Sequence, residues 1–395
     1  MRIALVSQEY PPETAHGGVA TQTLAKAHGL AALGHAVHVI SHSVDAQRHV
    51  VRTGAVEVIR IPGYDSHMGV NTEAVRWITY SALVAAEVER LHRRARLDVV
   101  DFPEWGCEAY VHLLNRTPWV SIPTVIHLQG PLVMLANTIG WPERDSELYR
   151  TGLGMEHTCL RLADAIVSSS RCSAHWVAEQ YGLDASVIPV IHTGVDVKIF
   201  RPGVAVRDEQ PSIVFIGRVA FSKGVDTLVD AACALAGEIP GLRVRLIGRV
   251  EKAMREQLEQ RARAAGYTSL LDFPGPVLRT ELPRELCKGH VFAAPSRYEG
   301  GPGFVVLEAM SCGLPVVACS GSGVAEVVRD GETGFLVPPG DPLALASVLR
   351  NLLRDAAYRE RVGEAAREYA VTQADSDVCV RRYERFLASV VEANP

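Results

Sequence analysis

Short apolar runs alternate along this chain with longer stretches of helical spacing, and the alternation runs through twice. In the first half the runs are Arg2 to Val6, Ala36 to Ser41, Val56 to Ile61, Leu97 to Phe102, Pro123 to Leu128 and Ala165 to Ser169. In the second half they are Ser212 to Gly217, Arg243 to Gly248, Leu271 to Val277, Val291 to Pro295 and Leu314 to Ala318. A strand apolar along its whole length is buried on both faces, which demands a parallel sheet with helices on each side. Val19 to Leu33, ending at Gly34, and Glu73 to Arg96 have the spacing of the covering helices. The pattern predicts two doubly wound α/β domains, and 395 residues exceed what one ordinary core holds. Val197 to Pro211, rich in proline and charge, reads as the linker between them.

Composition narrows the function. Formal net charge is −5 and no block of like charges occurs, so nucleic acid is not an expected partner. The eight cysteines are scattered without a C-x-x-C pair, which predicts reduced thiols rather than a disulfide or zinc scaffold. MRIALVSQEY is too short in apolar residues for a signal peptide, and no window nears the ~18 apolar residues of a membrane span. The expectation is a cytoplasmic protein. Arg90, His92, Arg93, Arg94 and Arg96 cluster at one helix end, where they suit either solvent or the inner face of a membrane. Oligomeric state is not readable.

Candidate site residues fall where strands hand over to helices. Gly17 and Gly18 precede the first helix, and the spacing is not G-x-G-x-x-G, which disfavours a nicotinamide dehydrogenase. Glu104 and Trp105 follow one strand, and His127 lies near the end of the next, before Gln129-Gly130. Strand carboxyl ends are where ligands sit in open α/β sheets. In the second half Arg218 and Lys223 flank a strand-to-helix turn, a spacing that suits a pyrophosphate. The stretch PSRYEGGPGFVVLEAMSCGLPVVA supplies the glycines Gly300, Gly301 and Gly303, then a helix start near Phe304 and Val305. Free N–H groups and the positive dipole end at such a start favour phosphate. Glu299 and Glu308 bracket the turn as acceptors for sugar or ribose hydroxyls.

That stretch resembles the donor-binding signature of the retaining family-four glycosyltransferases. GR…KG at residues 217–224, ADAIVSSS at 163–170, HTGVD at 192–196 and the run from Glu326-Val327-Val328 to Gly340-Asp341 match the family in order. The resemblance implies the GT-B fold: Rossmann-like domains 1–197 and 198–375 facing across a cleft, with residues 376–395 as a helix crossing back to the first. It implies transfer of a sugar, with retention, from a nucleotide sugar (UDP first, GDP next) to a hydroxyl of a glycan, lipid-linked or small-molecule acceptor. His127 would sit beside the donor sugar, and Gly17 and Gly18 would face the donor phosphates. Arg218 and Lys223 would stabilise the leaving diphosphate, and Gly301, Gly303, Phe304 and Val305 would line it. Val277 would flank the base, Glu308 would hold the ribose, and Glu299 would hold sugar hydroxyls. Glu104 and Trp105 would line the acceptor. No cofactor and no metal are implied. One departure stands out: eight residues separate Glu299 from Glu308 where the family has seven, and Pro302 in the enlarged turn removes an N–H. A non-catalytic GT-B binding subunit and a GT-B nucleotide-sugar epimerase are the alternative readings.

Overall fold

The computed structural model describes residues 1–14, 17–45, 47–63, 72–117 and 121–394. The chain divides into two compact units, Met1–Gly194 with Ser376–Pro395, and Val195–Asp375.

In the first unit the order is β1 (Arg2–Val6), α1 (Gly18–Ala32), β2 (Ala36–Ser43), β3 (His49–Thr53), β4 (Val56–Pro62), α2 (Glu73–Ala95), β5 (Val99–Pro103), α3 (Tyr110–Leu114), β6 (Thr124–Leu128), α4 (Leu132–Thr138), α5 (Glu147–Leu162), β7 (Ala165–Ser168) and α6 (Arg171–Tyr181). The sheet order is β3-β4-β2-β1-β5-β6-β7, parallel except for the edge hairpin β3–β4. That hairpin strand was not foreseen: His49–Thr53 is a polar, largely exposed edge without the apolar signal of a buried strand. Alternation sorts each strand to two cores. Ala4 and Val6 pack with α2 and α5, whereas Ile3 and Leu5 pack with α1 and with α13 (Ser376–Ala393), which closes this unit. Gly29 lets α13 approach α1, since a Cβ there would lie 2.7 Å from Val380.

The second unit runs β8 (Ser212–Ile216), α7 (Val225–Ala236), β9 (Arg243–Ile247), α8 (Lys252–Ala264), β10 (Leu271–Gly275), α9 (Leu282–Lys288), β11 (Val291–Ala294), α10 (Phe304–Ser311), β12 (Val316–Cys319), β13 (Gly334–Val337), α11 (Pro342–Arg354) and α12 (Ala356–Gln373). Its sheet, β10-β9-β8-β11-β12-β13, is wholly parallel. The stretch read as a linker, Val197 to Pro211, is partly core: Val197 and Phe200 are buried against α10 and α12, and the Arg367 guanidinium holds the Phe200 carbonyl at 2.8 Å.

Both sheets reverse direction beside their first strand. The switch lies between β1 and β5 in one unit and between β8 and β11 in the other. A crevice opens at the carboxyl ends of the strands at such a point. The loops that meet there carry the candidate residues.

Candidate functional site

In the second unit, pairing of β8 with β11 brings the 217–224 loop against the 295–303 turn. Gly224 is held at φ +67°, and a Cβ there would lie 1.9 Å from the Pro295 carbonyl oxygen, so only glycine lets these two loops touch. Arg297 fastens the contact. Its guanidinium binds both carboxylate oxygens of Asp226 at 2.8 Å and lies over the Phe221 ring, 3.7 Å from the centroid. This clamp was absent from the sequence reading, because nothing in a lone arginine announces a partner seventy-one residues away.

The same approach joins Lys223 to Glu299. The Lys223 ammonium donates to Glu299 Oε1, which also accepts from Ser296 Oγ at 2.8 Å. Both side chains keep more than a quarter of their surface exposed. Two residues assigned to different parts of a ligand are thus one ion pair. Two ammonium protons and Glu299 Oε2 are left without a bond in the chain among the described residues. Arg218 is exposed and forms no ion pair among the described residues.

The enlarged turn is folded inward. Pro302 is buried, and Gly323 N–H donates to the Glu299 carbonyl at 2.8 Å, tying the turn to the loop after β12. Gly303 takes φ +72° and starts α10 without a capping side chain. The first backbone bonds of α10 come from Val306 and Leu307, so the N–H groups of Phe304 and Val305 have no acceptor among the described residues. Gly300 and Gly301 complete the turn, and both are half-buried. Val277 is half-buried and packs against the cluster beneath α10.

One turn into α10, Glu308 is fully buried. Arg279 Nη2 pairs with Oε1 at 2.7 Å, and Oε2 has no hydrogen-bond donor among the described residues. Burial raises the Glu308 pKa, against the lowering influence of Arg279. A buried carboxylate oxygen without a donor is costly, and a ligand hydroxyl would supply one to Oε2.

The first unit is arranged differently. His127 shares the α1/α13 face of β6 with Val125 and is 1% exposed. Its Nδ1 lies 3.3 Å from the Lys26 ammonium, its Nε2 lies 3.2 Å from the Gln22 amide, and its ring stacks on Tyr383 at 5.5 Å. Lys26 is ion-paired with buried Asp101. Burial, then the Lys26 charge, holds the His127 pKa well below the usual histidine value. The neutral ring accepts from Lys26 at Nδ1 and therefore carries its proton on Nε2. A half-turn of the Gln22 amide then supplies the acceptor and satisfies Gln22 Oε1, otherwise without a partner. The structure places His127 in this buried network.

Glu104 is also buried. One oxygen accepts the N–H groups of Gln129, at 2.8 Å, and Gly130, fixing the turn after β6. Burial lifts its pKa to about 7. Trp105 lies between Trp77 and Trp141, with ring centroids 5.9 and 5.2 Å away. Gly17 and Gly18 are exposed at the start of α1, and the loop before them is anchored by Arg60, 2% exposed, which donates to the Tyr10 and Pro11 carbonyls at 2.9 and 3.1 Å. Arg60 was missed because it sits inside an apolar run. No group of three or more His, Cys, Asp or Glu is placed to hold a metal among the described residues.

Two family models match in tandem: Glycosyltransferase Family 4 over residues 16–199 and Glycosyl transferases group 1 over residues 196–369. A D-inositol 3-phosphate glycosyltransferase of Geodermatophilus obscurus is 32% identical over 307 residues, covering 74% of this chain and 66% of that one. Among solved structures, sucrose-phosphate synthase from Thermosynechococcus elongatus superposes with a TM-score of 0.82 at 22% identity, covering 100% of both chains. Anabaena Alr3699/HepE in complex with UDP-glucose gives a TM-score of 0.69 at 20% identity, covering 98% of this chain and 100% of that one. With both halves matched in order and both sheets of the GT-B type, this chain belongs to the family-four glycosyltransferases.

Proposed function

We propose that this glycosyltransferase is a retaining enzyme that moves a sugar from a UDP-sugar to an acceptor hydroxyl, and that the second unit holds the donor. The observation that carries this reading is Glu308: a fully buried carboxylate one turn inside α10, paired through Oε1 with Arg279, with Oε2 and the first N–H groups of the helix left without partners among the described residues. A ribose diol supplies two donors to such a carboxylate. The Phe304 and Val305 N–H groups, Arg218 and the unused ammonium protons of Lys223 meet the diphosphate. Charge grows on the leaving phosphate as the glycosidic bond breaks, and preorganised cations and amides stabilise it there. The acceptor hydroxyl attacks from the leaving-group face and passes its proton toward the departing phosphate. Glu299, through Oε2, binds a sugar hydroxyl. UDP is chosen over GDP because the similarly folded HepE is described with UDP-glucose.

The charge scheme uses protein cations, so transfer proceeds without a divalent ion. Acceptor identity is set within a class, the hydroxyls of polyols and glycans, guided by the relative that acts on an inositol phosphate. The test is a thermal-shift and donor-hydrolysis screen of UDP-, GDP- and ADP-sugars, with free inositol 3-phosphate and a glycan as acceptors. UDP-sugars should raise the melting temperature in proportion to occupancy, Glu308→Ala should abolish the shift, and excess EDTA should leave turnover intact. No shift with any nucleotide sugar would overturn the reading. A donor converted to an epimer without an acceptor would favour the epimerase instead.

A further inference from the structure

Arg297 lies two residues before Glu299, in a turn that carries candidate ligand groups, yet its own donors are all but used. Its backbone N–H donates to the Ser222 carbonyl at 3.0 Å. Nη1 donates to the Phe221 carbonyl and, at 2.8 Å, to Asp226 Oδ1. Nη2 donates to Asp226 Oδ2 at 2.8 Å and to Thr227 Oγ1 at 3.4 Å. Four Nη hydrogens meet four acceptors, and the Asp226 carboxylate answers the charge. Arg297 is therefore no ligand for a phosphate.

Its surroundings point to a geometric task. The ion pair is half-buried, with 26% of the Arg297 side chain and 12% of the Asp226 side chain exposed. A pair taken out of water adds little net stability, because desolvation offsets the attraction. Its planar fork does fix direction. Phe221, 57% exposed, is held under the same guanidinium.

Lys223 stands between the tied residues. Phe221 to Lys223 form one short helical turn, closed by Gly224, and Asp226 follows in the first turn of α7. The Lys223 side chain crosses to Glu299. Two ties thus run side by side between the same two loops. One joins Arg297 to residues 221, 222, 226 and 227; the other joins Lys223 to Glu299. A lysine side chain is long and flexible, so the backbone that carries it decides where its ammonium can reach.

We propose that Arg297 and Asp226 are positioning residues for Lys223. Their clamp fixes the loop from which the ammonium reaches Glu299 and the leaving diphosphate together. The diphosphate half rests on the donor reading given above. Breaking the clamp keeps Lys223 in the chain and loosens its aim.

The first experiment is a double-mutant cycle on the full chain with UDP-glucose as donor. Arg297→Leu and Asp226→Asn should each lower kcat about tenfold, within the coupling found inside one bonded network. In a Lys223→Ala background the same changes should cost less than about twofold more, since the residue they act through is gone. Equal losses in both backgrounds would make the clamp a structural brace and overturn the proposal. Arg297→Lys keeps the charge without the fork, so its kcat should fall as well; a parental rate would overturn the need for the fork. It also takes the place of Arg297→Leu in the cycle if that variant does not fold.

The second experiment reads Lys223 without activity. The folded chain is labelled with acetic anhydride, and Lys223 is compared by peptide mass with Lys252, whose side chain is 91% exposed. Acylation needs the free amine, and pairing with Glu299 keeps the proton on. Lys223 should label slowly in the parent and several-fold faster in Asp226→Asn, Arg297→Lys and Glu299→Gln. Unchanged labelling in the two clamp variants would overturn the proposal. If Lys223→Ala turns over at the parental rate, the diphosphate reading fails, while labelling still decides whether the clamp positions Lys223.

Discussion

The two units place their candidate residues at equivalent points, the carboxyl ends beside the switch in strand order, yet they treat them in opposite ways. In the first unit most of the polar groups are bonded inside the chain, although Asp101 Oδ1, Glu104 Oε2 and Tyr383 Oη find no hydrogen-bond partner among the described residues. His127 is held by Lys26, Gln22 and Tyr383, Lys26 by Asp101, and Glu104 by the backbone of residues 129 and 130. In the second unit the groups are aligned and left open. Among the described residues, Arg218 is exposed and has no ion pair, Glu308 Oε2 has no donor, and the first two N–H groups of α10 have no acceptor. A buried network fixes a framework, because breaking any member strands a buried charge. An open set leaves polar groups whose bonds a ligand completes. The difference agrees with the proposed donor role of the second unit, and four experiments press on it.

The largest effect is expected where the buried network is cut. Lys26→Met leaves Asp101, 1% exposed, without its counter-charge. Removing one partner of a buried pair costs about 3–5 kcal/mol. Urea unfolding of Lys26→Met should show that loss, and pairing it with Asp101→Leu should restore most of it. A single variant as stable as the parent would mean that the network does not hold the framework.

Next come the open cations. Arg218→Ala or Lys223→Ala should lower turnover ~100-fold or more, the scale of one lost oxyanion-type contact, with unfolding midpoints unchanged. Near-parental turnover in either would remove the diphosphate assignment.

Glu299 follows. Its loss should cost about one to two orders of magnitude in kcat/KM, matching a charged hydrogen bond of roughly 1.5–3 kcal/mol. Glu299→Gln should cost less, since the amide still accepts. An equal loss in both variants would point to the ion pair with Lys223 rather than to a sugar hydroxyl.

The smallest effect is a change in slope. Burial pushes the Glu108 pKa up to about 8. The folded form therefore holds a proton that the unfolded chain releases near the ordinary carboxylate value. Folding stability from this group is full below that value and falls as pH rises from ~4.5 to about 8, by at most ~1.4 kcal/mol per pH unit. Glu108→Gln keeps an acceptor for Gln8 N–H, now 3.0 Å from Oε1, and removes the titration. Melting temperatures across that range should decline less steeply in the variant; an identical decline would show that Glu108 ionises normally.

Much of the architecture was legible because burial writes itself into a strand as a continuous apolar run. β1, β6, β8 and β11 were each readable to within a residue or two. The helix start at Phe304 was readable from three glycines before an apolar stretch. What escaped had no local signal. The edge strand β3 is largely exposed, and Arg60 was hidden in an apolar segment.

The sequence by itself determined the class: continuous apolar runs bounded by helical spacing leave little but doubly wound sheets, and the residue types at strand ends announced phosphate and hydroxyl chemistry. Tertiary structure decided which of those residues are still available. Lys223 and Glu299 became one ion pair because β8 and β11 are neighbours, and His127 turned to the α1 and α13 face because it follows Val125 by two. Glu308 Oε2 was left without a donor among the described residues because α10 buries the carboxylate with Arg279 paired to Oε1. Spacing along a chain fixes what a residue can do; only the neighbours brought by strand order decide whether its bonds are already made.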